Sequence, residues 1–287
     1  MDNKKLGQGM PKICIPIVER TQADIVAIAA ELGHSVADLV EWRADYYEDL
    51  QCPDRLRETV GKLGKALGDK ELLFTIRTSD EGGEQQIAFA DYASILVAVA
   101  DLPEIHYVDV EMFSGMRGQS QEVWERAGSH SWMREQTENH IQIWECEDHE
   151  AYVPVKGLLR QLHHKVTVIG SYHDFEKTPS ATEITKRLVL MRRLGADIPK
   201  MAVMPQKQDD VLALMTATWE AKKLMDPVPI ITMSMGGMGV ISRVAGESFG
   251  SAVTFGCMGK ASAPGQIDVD QLQHMLTILH DARVKGR

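Results

Sequence analysis

At 287 residues and 44% hydrophobic content, the chain can bury a large core, either as one α/β barrel or as two smaller domains. Its 31 basic against 41 acidic residues leave a net charge of −10, which argues against a general nucleic-acid or anionic-membrane binder but leaves local cationic pockets open. Cys14, Cys52, Cys146 and Cys257 are widely spaced without a metal-ligand pattern, and Met1 to Pro11 has no apolar stretch of signal or spanning length, so a cytoplasmic protein with reduced thiols and no metal is expected.

Strand-length apolar runs and amphipathic helical stretches alternate from the start. Lys12–Glu19 leads to a helix over Asp24–Leu32, Asp38–Asp45 to Pro53–Leu67, and Glu71–Thr78 to Ala88–Ala100. Ile105–Met112 is followed by a long connection before Lys165–Asp174. Then come a helix over Thr182–Leu194, a strand over Asp197–Pro205, a helix over Asp209–Met225, a strand over Pro229–Met235, a helix over Ile241–Phe249, a strand over Ala252–Met258 and a helix over Val269–Ala282. No linker or internal repeat divides the chain, so the alternation predicts an α/β fold, one (β/α)8 TIM barrel spanning residues 1–287.

The connection from Phe113 to His164, an insertion at 113–164, is about twice what a helix and two short loops require. Trp124, Trp132 and Trp144 lie in it and need cover, which suggests a subunit contact. Ile141-Gln142-Ile143-Trp144 reads as a small extra strand, and His163-His164 as the end of a surface helix.

In such a barrel the functional groups sit at the carboxyl ends of the strands. Polar side chains recur there: Glu41 and Arg43 on the second strand, Arg77 and then Glu81 after the third, Asp109 and Glu111 on the fourth, Ser171 and His173 on the fifth, Lys200 on the sixth. Each alone is compatible with a structural ion pair. Together they predict a polar pocket for a small, anionic, hydroxylated molecule.

Lys200 shares a strand face with Ile198, Ala202 and Met204, while Asp197, the one acid of its run, falls on the other face by parity. A lysine in that position either snorkels to solvent or is buried. Burial with no acid beside it favours the neutral, nucleophilic amine suited to carbonyl chemistry, with Arg43, Arg77 and Arg243 as neighbouring cations. A free lysine is deprotonated in only roughly one molecule in 2,500 at pH 7. His173 on the adjacent strand is then the proton carrier and Glu81 its orienting partner.

The motifs resemble those of the type I 3-dehydroquinate dehydratases of the shikimate pathway. They are Glu41-Trp42-Arg43-Ala44-Asp45, Phe74-Thr75-Ile76-Arg77-Thr78 with Glu81-Gly82-Gly83, Ser171-Tyr172-His173-Asp174-Phe175, Gly195-Ala196-Asp197-Ile198-Pro199-Lys200, Ile241-Ser242-Arg243-Val244-Ala245-Gly246-Glu247, and Ala261-Ser262-Ala263-Pro264-Gly265-Gln266-Ile267. The resemblance implies a lyase of aromatic amino acid biosynthesis in which Lys200 forms a Schiff base with 3-dehydroquinate, and His173, held by Glu81, moves the protons. It implies that Arg243, Ser262 and Gln266 take the substrate carboxylate, and that Glu41, Arg43 and Arg77 take the ring hydroxyls. Asp109, Glu111, Met204 and Phe255 would support the pocket. A homodimer without cofactor, metal, nucleic-acid or membrane partner is expected. A class I aldolase and a catalytically silent metabolite binder are the alternatives.

Other signals are read more plainly. Gly236-Gly237-Met238-Gly239 lacks the lysine of a phosphate-binding loop and reads as a lid. Glu145, Glu147, Asp148, His149 and Glu150 read as a solvated acidic turn, and Met201, Met233 and Met235 as barrel packing.

Overall fold

The computed structural model describes residues 6–113, 152–259 and 261–286. Its eight strands are β1 Lys12–Ile17, β2 Leu39–Arg43, β3 Glu71–Thr75, β4 Tyr107–Glu111, β5 Thr167–Asp174, β6 Ile198–Val203, β7 Ile231–Ser234 and β8 Val253–Phe255. All pair in parallel, in the order β7-β6-β5-β4-β3-β2-β1-β8. The seam between β7 and β8 is narrower. There Ile230 pairs with Ser251, Ala252 donates to the Ile230 carbonyl at 2.7 Å, and the Ser251 hydroxyl accepts from the Thr232 amide at 3.1 Å. The sheet is a nearly closed barrel, and each sequence-predicted strand contains one observed strand.

Side-chain alternation separates two apolar regions. Residues such as Ile13, Val40, Trp42, Phe74, Val108 and Met201 face outward, where they meet the helices in the larger core. Cys14, Leu39, Leu73, Tyr107, Ile169, Ile198, Ile231 and Val253 face inward and fill the barrel's amino-terminal end. Parallel strands buried on both faces require these nearly continuous apolar runs.

The helices begin where the sequence supplies caps. Thr21 accepts from the Asp24 amide ahead of Gln22–Gly33, Ser180 from the Glu183 amide ahead of Ala181–Leu194, and Pro53 opens Pro53–Leu67. One predicted helix, Ile241–Phe249, is instead two short pieces, Val240–Val244 and Gly246–Phe249. The break lies where Gly246 passes Pro11 and the Ser251 carbonyl so closely that a Cβ would fall 2.6 and 2.8 Å from them.

Within the long connection, Val153–Leu162 is a helix that buries Val155, Leu158, Leu159 and Leu162 and ends at His163. The three tryptophans, the expected strand Ile141–Trp144 and the acidic cluster Glu145 to Glu150 lie outside the described residues. Among the described residues no helix is long and apolar enough to cross a membrane.

Candidate active site

Inward-facing positions change from apolar to charged about halfway up the barrel. Layers in such barrels draw their side chains from alternate strands, and the first charged layer follows that rule with Glu41 from β2, Asp109 from β4, Lys200 from β6 and Phe255 from β8. The Lys200 Nζ lies 3.0 Å from Asp109 Oδ2, 3.7 Å from Glu41 Oε1 and 4.9 Å from the Phe255 ring centroid. Lys200 is buried, with 3% of its surface exposed. It points into the barrel as parity predicts, but the expectation that it stands apart from acids is overturned. Parity removes Asp197 correctly, since Asp197 Oδ2 accepts from the Val168 amide at 2.9 Å. It cannot exclude carboxylates arriving from other strands.

Arg77 is bound into the same network. Its NH2 donates to Asp109 Oδ1 at 2.7 Å, and its NH1 donates to Glu111 Oε1 at 2.9 Å and Ser171 Oγ at 3.1 Å. Burial alone lowers a guanidinium's pKa, but Asp109, Glu111 and Glu81 outweigh it and hold Arg77 well above its ordinary value. Asp109, pushed up by its complete burial, is brought down to about 2 by Arg77, Lys200 and the Ser171 hydroxyl. The expected cationic pressure on the amine is therefore absorbed. Arg77 and Lys200 share one carboxylate, and Arg43 holds both Asp45 oxygens through Nε and NH2 at 2.7 and 2.8 Å.

The 3-10 turn Ser79–Glu81 carries the next charged group. Glu111 anchors its start, accepting from the Thr78 amide and hydroxyl at 2.8 and 2.7 Å. Gly82 closes it at φ 80°, where a Cβ would fall 2.5 Å from the Phe175 ring. Glu81 Oε2 then lies 2.9 Å from His173 Nδ1 and accepts the His173 backbone N–H at 3.0 Å. A carboxylate facing Nδ1 calls for a proton there, which makes Nε2 the nitrogen for exchange with a substrate.

Arg243 occupies the opposite wall. Its NH1 donates to the Phe255 carbonyl and its NH2 to the Pro264 carbonyl, both at 3.1 Å, and its buried Nε has no partner. Among the described residues no carboxylate pairs with it, and burial lowers its pKa to about 10, leaving it charged at neutral pH. Beside it Gln266 accepts the Ser262 amide at 2.7 Å and donates to the Ser262 hydroxyl at 3.0 Å. The glycine-rich segment is a 3-10 turn, Gly237–Gly239, tied to this wall by the Gly236 amide, which donates to the Pro264 carbonyl.

One open cleft collects Lys200, His173, Glu81, Glu41, Arg43, Arg77, Arg243, Ser262 and Gln266. Every residue expected to bind or react thus borders one space, as does Phe255. Asp109 and Glu111 lie beneath it as supports. Met204 packs against the barrel core without bordering the cleft, whereas Met233 and Met235 pack in that core as expected and border the cleft as well, together with Phe175, Ala202 and Ala263. Strand parity pointed Met233 and Met235 inward but could not give their height. Asp45 was legible as an acid two residues from Arg43, although it was given no role.

The family model of type I 3-dehydroquinase matches residues 13–133 and 145–283. The chain is 42% identical to a 3-dehydroquinate dehydratase of Bacillus licheniformis over 96% of this chain and 94% of that one, and 41% identical to one of Salmonella paratyphi B over 96% of each. The crystal structure of a type I 3-dehydroquinate dehydratase from Clostridium difficile, with covalent modified comenic acid, superposes with a TM-score of 0.80 at 38% identity over 96% of this chain and 95% of that one. The enzyme from Enterococcus faecalis gives 0.77 at 34%, over 96% and 97%.

Proposed function

The chain belongs to the type I 3-dehydroquinase family, a family of hydro-lyases, and from that membership we propose that it dehydrates 3-dehydroquinate to 3-dehydroshikimate through a Schiff base on Lys200. The observation that carries the reading is the meeting, in one cleft, of a buried primary amine, a carboxylate-held imidazole and a guanidinium that has no carboxylate partner among the described residues.

Arg243 takes the substrate carboxylate, with Ser262 and Gln266 at its side, because it is a buried cation that no carboxylate pairs with among the described residues. Glu41, Arg43 and Arg77 face the ring hydroxyls. That anchoring brings the C3 ketone to Lys200, whose amine adds to it; loss of the oxygen as water leaves an iminium. The iminium withdraws electrons and acidifies C2. His173 removes the C2 proton through Nε2, Glu81 stabilises the resulting imidazolium, and the same imidazolium protonates the departing C1 hydroxyl. Water then hydrolyses the iminium and regenerates the amine. The relative from Clostridium difficile, solved with covalent modified comenic acid, supports covalent chemistry in a closely similar barrel.

Incubation with 3-dehydroquinate and borohydride, followed by peptide mass mapping, is expected to find the reduced adduct on Lys200. Absence of an adduct there overturns the covalent reading. Lys200→Ala is expected to lose turnover by a factor on the order of 10⁵. The reading includes a cytoplasmic homodimer, for which sedimentation at twice the chain mass is the expected result.

A further inference from the structure

We infer that Glu41 takes the proton from the Lys200 ammonium and returns it to the departing ketone oxygen while the Schiff base forms, and that Asp109 is the fixed counter-ion of the nitrogen throughout. This rests on the covalent reading above and extends it to the protons of the nitrogen itself.

An ammonium must lose a proton before it can attack a ketone. Four groups surround the choice of acceptor. Asp109 is nearest, 3.0 Å from Nζ, but it is fully committed: its Oδ1 accepts from Arg77 at 2.7 Å and from Ser171 at 2.6 Å. Protonating it would leave the buried Arg77 without full compensation, and although burial pushes this carboxyl up, those charges hold it at about 2. Cys14 lies below, and burial, reinforced by Glu41, pushes its thiol well above the ordinary value, so it is no base. His173 is oriented by Glu81 for carbon-bound hydrogen.

Glu41 differs in each respect. It borders the cleft, whereas Asp109 lies beneath it. Its Oε1 accepts one hydrogen bond, from Thr75 Oγ1 at 2.9 Å, and stands 3.7 Å from Nζ, while its Oε2 accepts none among the described residues. Two carboxylates thus flank one ammonium, one saturated and one open towards substrate.

The step balances without any added reagent. Glu41 accepts a proton from the ammonium, and the neutral amine forms the N–C bond as the carbonyl π pair moves to oxygen. A proton passes from nitrogen to that oxygen, giving the carbinolamine. The protonated Glu41 then gives its proton to the hydroxyl, the C–O bond breaks, water leaves, and the nitrogen lone pair forms the iminium opposite Asp109. One ammonium and one ketone become one iminium and one water, with Glu41 ionised again.

The test is rapid-quench borohydride trapping of the adduct at saturating 3-dehydroquinate, with the wild-type protein as control. The groups facing Glu41 whose charge bears on the pH profile are Lys200, Arg43 and Cys14. Glu41→Gln keeps the shape and the Thr75 contact, and is expected to slow trapping by about 100-fold or more, with a rate that rises with pH as hydroxide replaces the missing base. Trapping at the parental rate, with only the half-saturating concentration raised, overturns the inference and leaves Glu41 as a hydroxyl ligand. If Glu41→Gln does not fold, Thr75→Val decides. Removing a donor from a carboxylate raises its proton affinity, so the acid limb of the trapping rate is expected to move to higher pH, and an unmoved limb overturns the assignment. A wild-type protein that gives no adduct instead defeats the covalent reading itself.

Discussion

Arg77 and Arg243 are both buried, at 3% and 2% exposure, on opposite walls of one cleft. Arg77 meets Asp109, Glu111 and Glu81, whereas Arg243 meets two carbonyls. The first has its charge compensated by the fold and holds other groups in place. Among the described residues the second meets no carboxylate, so burying it is costly in the absence of an anion. On the function proposed above, the contrast separates an arginine that maintains the site from one that awaits the substrate: the carboxylates around each differ, while their depth does not.

That contrast is sharpest under substitution. Arg77→Met strands the buried carboxylates of Asp109 and Glu111 and is expected to cost about 3–5 kcal/mol of stability, read as a lowered denaturant midpoint. Arg243→Met strands no carboxylate among the described residues. It is expected to raise the half-saturating substrate concentration by about 100-fold while changing stability by no more than about 1 kcal/mol, because relief of a buried charge is offset by the two carbonyls that lose a donor. Equal destabilisation by the two substitutions would break the comparison.

Acid sharpens it further. The Asp109 carboxyl, held at about 2 against an ordinary 3.8, contributes about 2 kcal/mol. Because its folded value is depressed, that stability is fully present above about pH 4 and is lost as pH falls towards 2. Asp109→Asn is expected to remove this component from the acid unfolding curve, and a curve unchanged in the variant would count against the pairing. The smallest effect is expected from Gln266→Ala, which releases the Ser262 backbone beside Arg243: about 1 kcal/mol in substrate affinity with little change in melting temperature.

The strands were legible because parallel barrel strands, buried on both faces, must be apolar throughout, and a charged residue breaking such a run is conspicuous. Lys200, Glu41 and His173 were found in this way. Of the rim groups, Ser262 and Gln266 come from a loop, where no periodicity points, and Arg243 from the short helix Val240–Val244, whose single turn carries no pattern that singles it out; all three were reached through resemblance to known motifs. The partner of Lys200 was misread because parity along one strand says nothing about the neighbours that barrel tilt delivers from β2 and β4. Met233 packs the barrel interior as expected and also borders the cleft, which was not legible because alternation gives the direction of a side chain but not its height.

The sequence by itself determined the eight-fold alternation, the inward face of each strand and the chemical types available at the carboxyl ends. These follow from local sterics and the burial of apolar side chains, which act along a few residues at a time. Only the nearly closed barrel decided which charges meet. Its stagger sets side chains from alternate strands into one layer, so that Asp109, 91 positions from Lys200 in the chain, accepts its hydrogen bond while Asp197, three positions away, faces elsewhere.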